Sequence, residues 1–178
     1  MASHLIRNII LTGFMGTGKS VVGKRLARQL KRRFIDTDTL IEQEAGISIA
    51  QIFAAEGEPA FRKRERQAIV RICQEENIVM ATGGGAVMDA GNTRMLKESG
   101  LVICLTARPE VILQRLHSNI TSRPLLQGPK PLEKIQNLMA ERADAYTKAD
   151  LTIDTSYLDP DAVVETALVA LSEKSHAA

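Results

Sequence analysis

The sequence predicts an α/β protein, a parallel β-sheet with helices packed on both faces. Three observations carry that expectation. Short apolar runs recur along the chain, amphipathic helical stretches lie between them, and a glycine-rich loop joins the first run to the first helix. Strands that alternate with helices require right-handed crossovers, and hence parallel strands covered on either side.

The strands are expected at Asn8 to Phe14, Arg33 to Asp36, Asn77 to Thr82, Leu101 to Ala107 and Leu151 to Thr155, each short, apolar and bounded by turn residues or charges. The helices are expected at Lys19 to Lys31, Pro59 to Glu76, Pro109 to Leu116, Pro131 to Lys148 and Pro160 to Glu173. Four of these open on a proline, the position where its fixed φ suits a first helical turn. In such a sheet a ligand lies beyond the carboxyl ends of the strands. Here that edge comprises residues 13–20, 36–38, 82–85, the loop after Ala107 and residues 154–160.

The bulk properties narrow the class. A chain of 178 residues is one domain, 1–178, able to bury a substantial core. A net charge of +2 gives no reason to expect a nucleic-acid or membrane partner. Cys73 and Cys104 both sit in apolar segments without metal or redox spacing, so free thiols in a reducing, cytoplasmic setting are expected. Arg7 and Asn8 interrupt the first apolar residues, which argues against a secretory leader, and no run reaches the ~18 apolar residues of a spanning helix.

GFMGTGKS, at 13–20, fits G-x-x-x-x-G-K-[ST] between strand and helix. Gly13, Gly16 and Gly18 let the backbone turn its N–H groups inward, toward phosphate oxygens at a helix N-terminus. Lys19 can reach the terminal phosphates of a nucleoside triphosphate and Ser20 can ligate Mg²⁺. Gly16, Thr17, Gly18, Lys19, Ser20 and Val21 therefore form the expected ATP contact set.

The later strand IVMAT ends in Gly83-Gly84-Gly85 rather than in the acid of a GTPase or motor ATPase, and the nearest strand-end acids are Asp36 and Asp38. One can hold a magnesium-bound water while the other takes a hydrogen bond from an acceptor hydroxyl; an N-cap role remains open for either. On the helix after Gly57-Glu58-Pro59, Arg62, Glu65 and Arg66 share a face, and Glu65 can fix the Arg62 rotamer. Arg142 and Tyr146 stand four apart late in another helix. Were Arg62, Arg142 and Gly83-Gly84-Gly85 to converge, the site would suit a small hydroxylated carboxylate, because guanidinium groups pair with carboxylates. The segment NITSRPLLQGPKP is too rich in proline and glycine for a helix, and a closing loop there would bring Arg123 over the reaction.

Taken in order, these motifs resemble those of the shikimate kinase family: G-x-x-G-x-G-K-S at 13–20, D-T-D at 36–38, I-F-A-A-E-G-E-x-x-F-R-x-x-E from Ile52 to Glu65, G-G-G at 83–85, R-P-L-L at 123–126 and R-x-x-x-Y from Arg142. The resemblance spans about Asn8 to Pro160. It implies a five-stranded sheet in the order 2-3-1-4-5, a mobile lid at about 117–131, and acceptor-binding helices at about 37–76. It implies transfer of the γ-phosphate of ATP to the 3-hydroxyl of shikimate in aromatic amino-acid biosynthesis, with Mg²⁺. Carried over position by position, Lys19, Asp38 and Arg123 are catalytic, and Ser20 with Asp36 (through water) serves the metal. Arg62, Arg142, Asp38, Glu65, Gly83, Gly84, Gly85, Phe53 and Phe61 surround shikimate, and Arg115 lies near the adenine. A cytoplasmic monomer without nucleic-acid or membrane partner is expected, with the tail 173–178 disordered.

This chain departs from the family pattern at Asp144, where proline is common, and at Leu158-Asp159-Pro160, where an arginine often precedes Asn-Pro. Two other readings stay open: a gluconate-type small-molecule kinase and a nucleotide-binding regulator without turnover.

Overall fold

A computed structural model of the chain describes residues 6–177. Five parallel strands form one sheet in the order β2-β3-β1-β4-β5, with β1 at Ile9–Thr12, β2 at Arg33–Asp36, β3 at Ile78–Ala81, β4 at Leu101–Thr106 and β5 at Leu151–Asp154. The central β1 is paired on both edges, Ile9 lying opposite Val79 on one side and Leu101 on the other. Both faces of β1 are covered, so its side chains alternate between two cores. Ile9 and Leu11 join Val22, Leu26 and Val164 under α1 (Lys19–Leu30) and α7 (Pro160–Ala177). Ile10 joins Ile41, Ile69 and Leu96 under α2 (Thr37–Ala45), α3 (Ile49–Ile72) and α4 (Ala90–Ser99). Each such aliphatic side chain contributes roughly 1.5–3 kcal/mol on full burial.

A third, smaller core of Phe14, Ile112, Leu116, Leu126 and Ile135 lies between α5 (Pro109–Leu116), α6 (Pro131–Tyr146) and the loop that joins them. That loop is less irregular than its composition suggests. It carries two short 3-10 turns, Ile120–Ser122 and Pro124–Leu126, the second anchored by buried Leu126.

Three further corrections concern helices. The helix expected from Pro59 begins ten residues earlier, at Ile49, where Ser48 and Gln51 form a reciprocal capping box. The Gly57-Glu58-Pro59 turn is a kink inside it, made by Gly57 at φ 81° and ψ 170°, a backbone that a residue with a Cβ rarely adopts. Two helices are missing from the set read from the apolar pattern, α2, which falls within the 37–76 span that the family resemblance implies, and α4, which does not; each is opened by an aspartate N-cap, Asp36 and Asp89. Beyond these, α7 continues through Ala177, so the backbone of the tail is helical to that point; position 178 lies outside the described residues.

Candidate functional site

An open cavity of about 530 Å³ lies across the carboxyl edge of β1, β2 and β3, where the loops after each strand meet α3, α6 and the 3-10 turns. Gly16, Gly18, Lys19, Ser20, Val21, Asp36, Asp38, Phe53, Phe61, Arg62, Glu65, Gly83, Gly84, Gly85, Arg123 and Arg142 all line it. Of the expected contact residues, Thr17 and Arg115 do not. Thr17 is buried and turns its hydroxyl back to the Phe14 carbonyl at 2.8 Å.

The glycine-rich loop is held tightly. Gly13, at φ 126°, runs so close to β4 that a Cβ there would stand 2.0 Å from the Leu105 carbonyl oxygen. Lys19 is buried and donates to the carbonyls of Gly13 and Phe14 at 2.8 and 2.9 Å. Burial lowers its pKa to about 8, against the raising pull of Asp38 and Asp36. Ser20 donates to Asp36 Oδ2, while the same carboxylate caps α2 through its Oδ1, accepting from the amides of Asp38 and Thr39. Asp36 is thus a helix cap and a partner of Ser20 together; the two roles do not compete, because each uses a different oxygen.

Elsewhere around the cavity, polar groups are buried without partners. Asp38 Oδ1, Glu65 Oε1, Arg142 Nη1 and Arg123 Nε have no hydrogen-bond partner, four of the six such buried side-chain atoms among the described residues. Burial raises the Asp38 pKa to about 6, with Asp36 adding to the rise and Lys19 opposing it. Glu65 is also raised by burial, opposed by Arg62. Its Oε2 accepts from Arg62 Nη1 at 2.7 Å, and Glu58 Oε1 takes Arg62 Nε and Nη2 at 3.1 and 2.9 Å. Arg62 is therefore gripped from both sides, i+3 and i−4, in the helix just after the kink. Arg142, 5% exposed, lies over the Phe14 ring at 5.5 Å. Four residues on, Tyr146 donates to the Gly84 carbonyl at 2.7 Å.

The three successive glycines have three separate owners. A Cβ on Gly83 would stand 2.5 Å from Glu65 Oε1 and 2.8 Å from Asp38 Oδ1. One on Gly85 would stand 2.6 Å from Arg62 Nη2, and one on Gly84 would be 3.3 Å from the Met15 amide and 3.4 Å from Arg142 Nη1. Their absent side chains make room for carboxylates and guanidinium groups as well as for a ligand. Arg62, Arg142 and Lys19 all line the one cavity.

Arg115 sits behind the loop. Its Nη1 donates to the Gly16 carbonyl at 3.3 Å and to Thr155 Oγ1 at 2.9 Å, and Nη2 to the Thr155 carbonyl at 2.7 Å. Two further glutamates escaped the sequence reading. Glu42 lines the cavity and accepts from the Ile49 amide at 2.9 Å, tying α2 to the start of α3, and Glu58, outside the lining, pairs with Arg62 as above. The i, i+4 spacing of Glu58 and Arg62 is a helical one, but the apolar pattern puts Glu58 in a turn before Pro59.

Serine and aspartate present adjacent hard oxygens at Ser20 and Asp36, while no group of three or more His, Cys, Asp or Glu side chains that could hold a metal occurs among the described residues. That donor set fits a cation that keeps most of its waters and takes the rest of its ligands from phosphate, as Mg²⁺ does. No helix among the described residues is long and apolar enough to cross a membrane.

Comparison with known proteins followed the same line. The shikimate kinase family model matches residues 15–172. A shikimate kinase of Pelotomaculum thermopropionicum is 45% identical over 171 residues, covering 96% of this chain and 99% of its own. One of Geobacter sulfurreducens is 52% identical over 150 residues, 84% of this chain and 82% of its own. In structure, a shikimate kinase from Acinetobacter baumannii in complex with shikimate superposes with a TM-score of 0.91 at 38% identity, covering 97% of each chain.

Proposed function

The chain belongs to the shikimate kinase family, and from that premise we propose how its cavity works: it transfers the γ-phosphate of ATP to the 3-hydroxyl of shikimate, giving shikimate 3-phosphate and ADP, a step of chorismate and aromatic amino-acid biosynthesis. The observation that carries the division of labour is the grouping of partnerless buried atoms, Asp38 Oδ1, Glu65 Oε1, Arg142 Nη1 and Arg123 Nε, opposite a phosphate loop whose own groups are satisfied. A ligand with a carboxylate and several hydroxyls supplies what those atoms lack.

Arg62 and Arg142 take the carboxylate of shikimate through charge-assisted bonds. Phe53 and Phe61, 5.1 Å apart between ring centroids, bear on its ring. Glu65 fixes Arg62, and Gly83, Gly84 and Gly85 give clearance. Asp38 accepts the proton of the hydroxyl that attacks, aided by its raised pKa near 6, which makes it a better base than an ordinary aspartate. Lys19 gives up its carbonyl partners for phosphate oxygens, and the amides of residues 16–18 and Arg123 compensate the charge that spreads over the transferred group. Mg²⁺, held by Ser20 and by Asp36 through water, would supply further charge compensation on the phosphates. We take Val21 to flank the nucleotide and Arg115 to serve it from behind the loop. We take the enzyme to act as a cytoplasmic monomer on small-molecule substrates.

A coupled ADP-release assay tests the reading. Release that depends on shikimate supports it. Release with gluconate in its place would point to a gluconate-type kinase, and nucleotide binding without turnover on either acceptor would leave a regulator.

A further inference from the structure

Behind the phosphate loop, away from the cavity, one hydroxyl joins three elements. Thr155, 2% exposed, follows β5, and its Oγ lies 2.9 Å from the Thr106 carbonyl at the end of β4 and 3.3 Å from the Thr17 carbonyl in the loop. The same oxygen accepts from Arg115 Nη1 at 2.9 Å, and Arg115 also donates to the Gly16 carbonyl. The turn that carries Thr155 is itself fixed. Asp154 Oδ1 accepts from the Ser156 amide and hydroxyl at 2.8 and 2.6 Å, the Ser156 hydroxyl accepts from the Arg108 amide at 2.9 Å, and the Thr155 amide donates to the Thr106 carbonyl at 2.8 Å.

A peptide unit is planar and trans, so the carbonyl of Thr17 and the N–H of Gly18 point in opposite directions. Holding the first outward aims the second inward, and Gly18 lines the cavity. We infer that Thr155, with Arg115 as its partner, is a positioning residue for phosphate binding: the Thr155 hydroxyl faces the Thr17 carbonyl while Arg115 holds the Gly16 carbonyl, and together they keep the Gly18 amide turned toward the cavity. The inference rests on the kinase reading above, and it gives Arg115 work that does not depend on any contact with a nucleotide base. Neither residue touches the acceptor side.

Threonine at 155 can be changed to valine with little change of shape, which removes only the hydroxyl. In Thr155→Val the KM for ATP and the dissociation constant of inorganic tripolyphosphate, measured by titration calorimetry, should each rise about tenfold, the scale set by one or two misdirected hydrogen bonds. The shikimate KM should stay within about twofold, and Thr155→Ser should restore ATP binding. Arg115→Met should weaken tripolyphosphate as well as ATP, and the double variant should be no worse than the weaker single one, because the two side chains act as a unit. An unchanged ATP KM in Thr155→Val overturns the inference, as does a parallel rise in both KM values with a lowered melting temperature, which would mark Thr155 as merely structural. Should Thr155→Val not fold, Arg115→Met decides alone: loss of ATP affinity with tripolyphosphate binding intact means a base contact and sinks the proposal. Shikimate-dependent turnover of the wild-type protein tests the kinase reading separately, and tripolyphosphate binding does not need it.

Discussion

The two halves of the cavity are built on opposite plans. In the phosphate loop the charged and hydroxyl groups already have protein partners: Lys19 on the Gly13 and Phe14 carbonyls, Ser20 on Asp36, Thr17 on Phe14. On the acceptor side Asp38, Glu65 and Arg142 each keep a buried polar atom without one, and Arg123, on the loop between α5 and α6, does the same. An unpaired buried polar group costs on the order of 1–3 kcal/mol. Four of the six such atoms among the described residues gather in this cavity, where a ligand can relieve the cost. The phosphate half exchanges partners when its ligand arrives, whereas the acceptor half gains them.

Variants can break or sharpen this contrast, and the largest effect falls on the phosphate side. Lys19→Ala should lower kcat by about a hundred- to a thousandfold, since a charge aimed at the transition state is lost. Steady-state turnover close to wild type would remove Lys19 from the chemistry.

Asp38→Asn should cost nearly as much activity, yet it should stabilise the protein. The native pKa of Asp38, near 6, lies above its ordinary value of 3.8, so the native state binds more protons than the unfolded chain between those values. Stability attributable to Asp38 therefore falls as pH rises from about 4 to 6. The asparagine variant escapes that loss and should be more stable by roughly 2–3 kcal/mol at pH 8, with little difference below pH 4, by urea unfolding at both pH values. Equal stability at pH 8 would mean that Asp38 is not held as a strained, buried acid. In the wild type, kcat/KM should be bell-shaped, with limbs near 6 from Asp38 and near 8 from Lys19, which must stay protonated.

On the acceptor side, Arg142→Ala should raise the shikimate KM by about ten- to a hundredfold with the ATP KM within about threefold, the value of a lost charge-assisted pair. A rise of equal size for both substrates would make Arg142 a structural group and erase the contrast. The smallest effects should come from the glycines, and they should be ranked. A methyl group at Gly83 meets two carboxylate oxygens at 2.5 and 2.8 Å, and at Gly84 its contacts begin at 3.3 Å. Gly83→Ala should therefore reduce kcat/KM for shikimate several-fold more than Gly84→Ala, and the reverse order in the same assay would contradict the packing described here.

Much of this was legible in the chain. The phosphate loop is a local device, with its glycines, lysine and serine contiguous between a strand and a helix, so eight residues suffice to announce it. Strand order followed from likeness to the family, and the five strands themselves stood out because sheets covered on both faces need unbroken apolar runs. What the apolar pattern lacked was helical: TDTLIEQEA and AGNTRMLKES are short, and the second contains glycine and asparagine, poor helix formers whose position is fixed by an aspartate cap and by packing on the sheet. Helices at 37–76 came from likeness to the family alone, without bounds or faces, so Glu42 and Glu58 had no geometry to speak through. Convergence of Arg62 with Arg142 was expected as a condition only; the two are 80 positions apart, and the fold alone brings them to one cavity. The roles of Thr155 and Arg115 behind the loop had no sequence signal, because they act through backbone carbonyls.

The resting place of Lys19 has a thermodynamic echo. With a pKa of about 8, the free side chain is about half deprotonated at that pH. Triphosphate favours its cationic form, so saturation with nucleotide draws hydrogen ions out of the medium. The heat of ATP binding then varies with the ionisation enthalpy of the buffer, and the slope of that dependence counts the protons taken up.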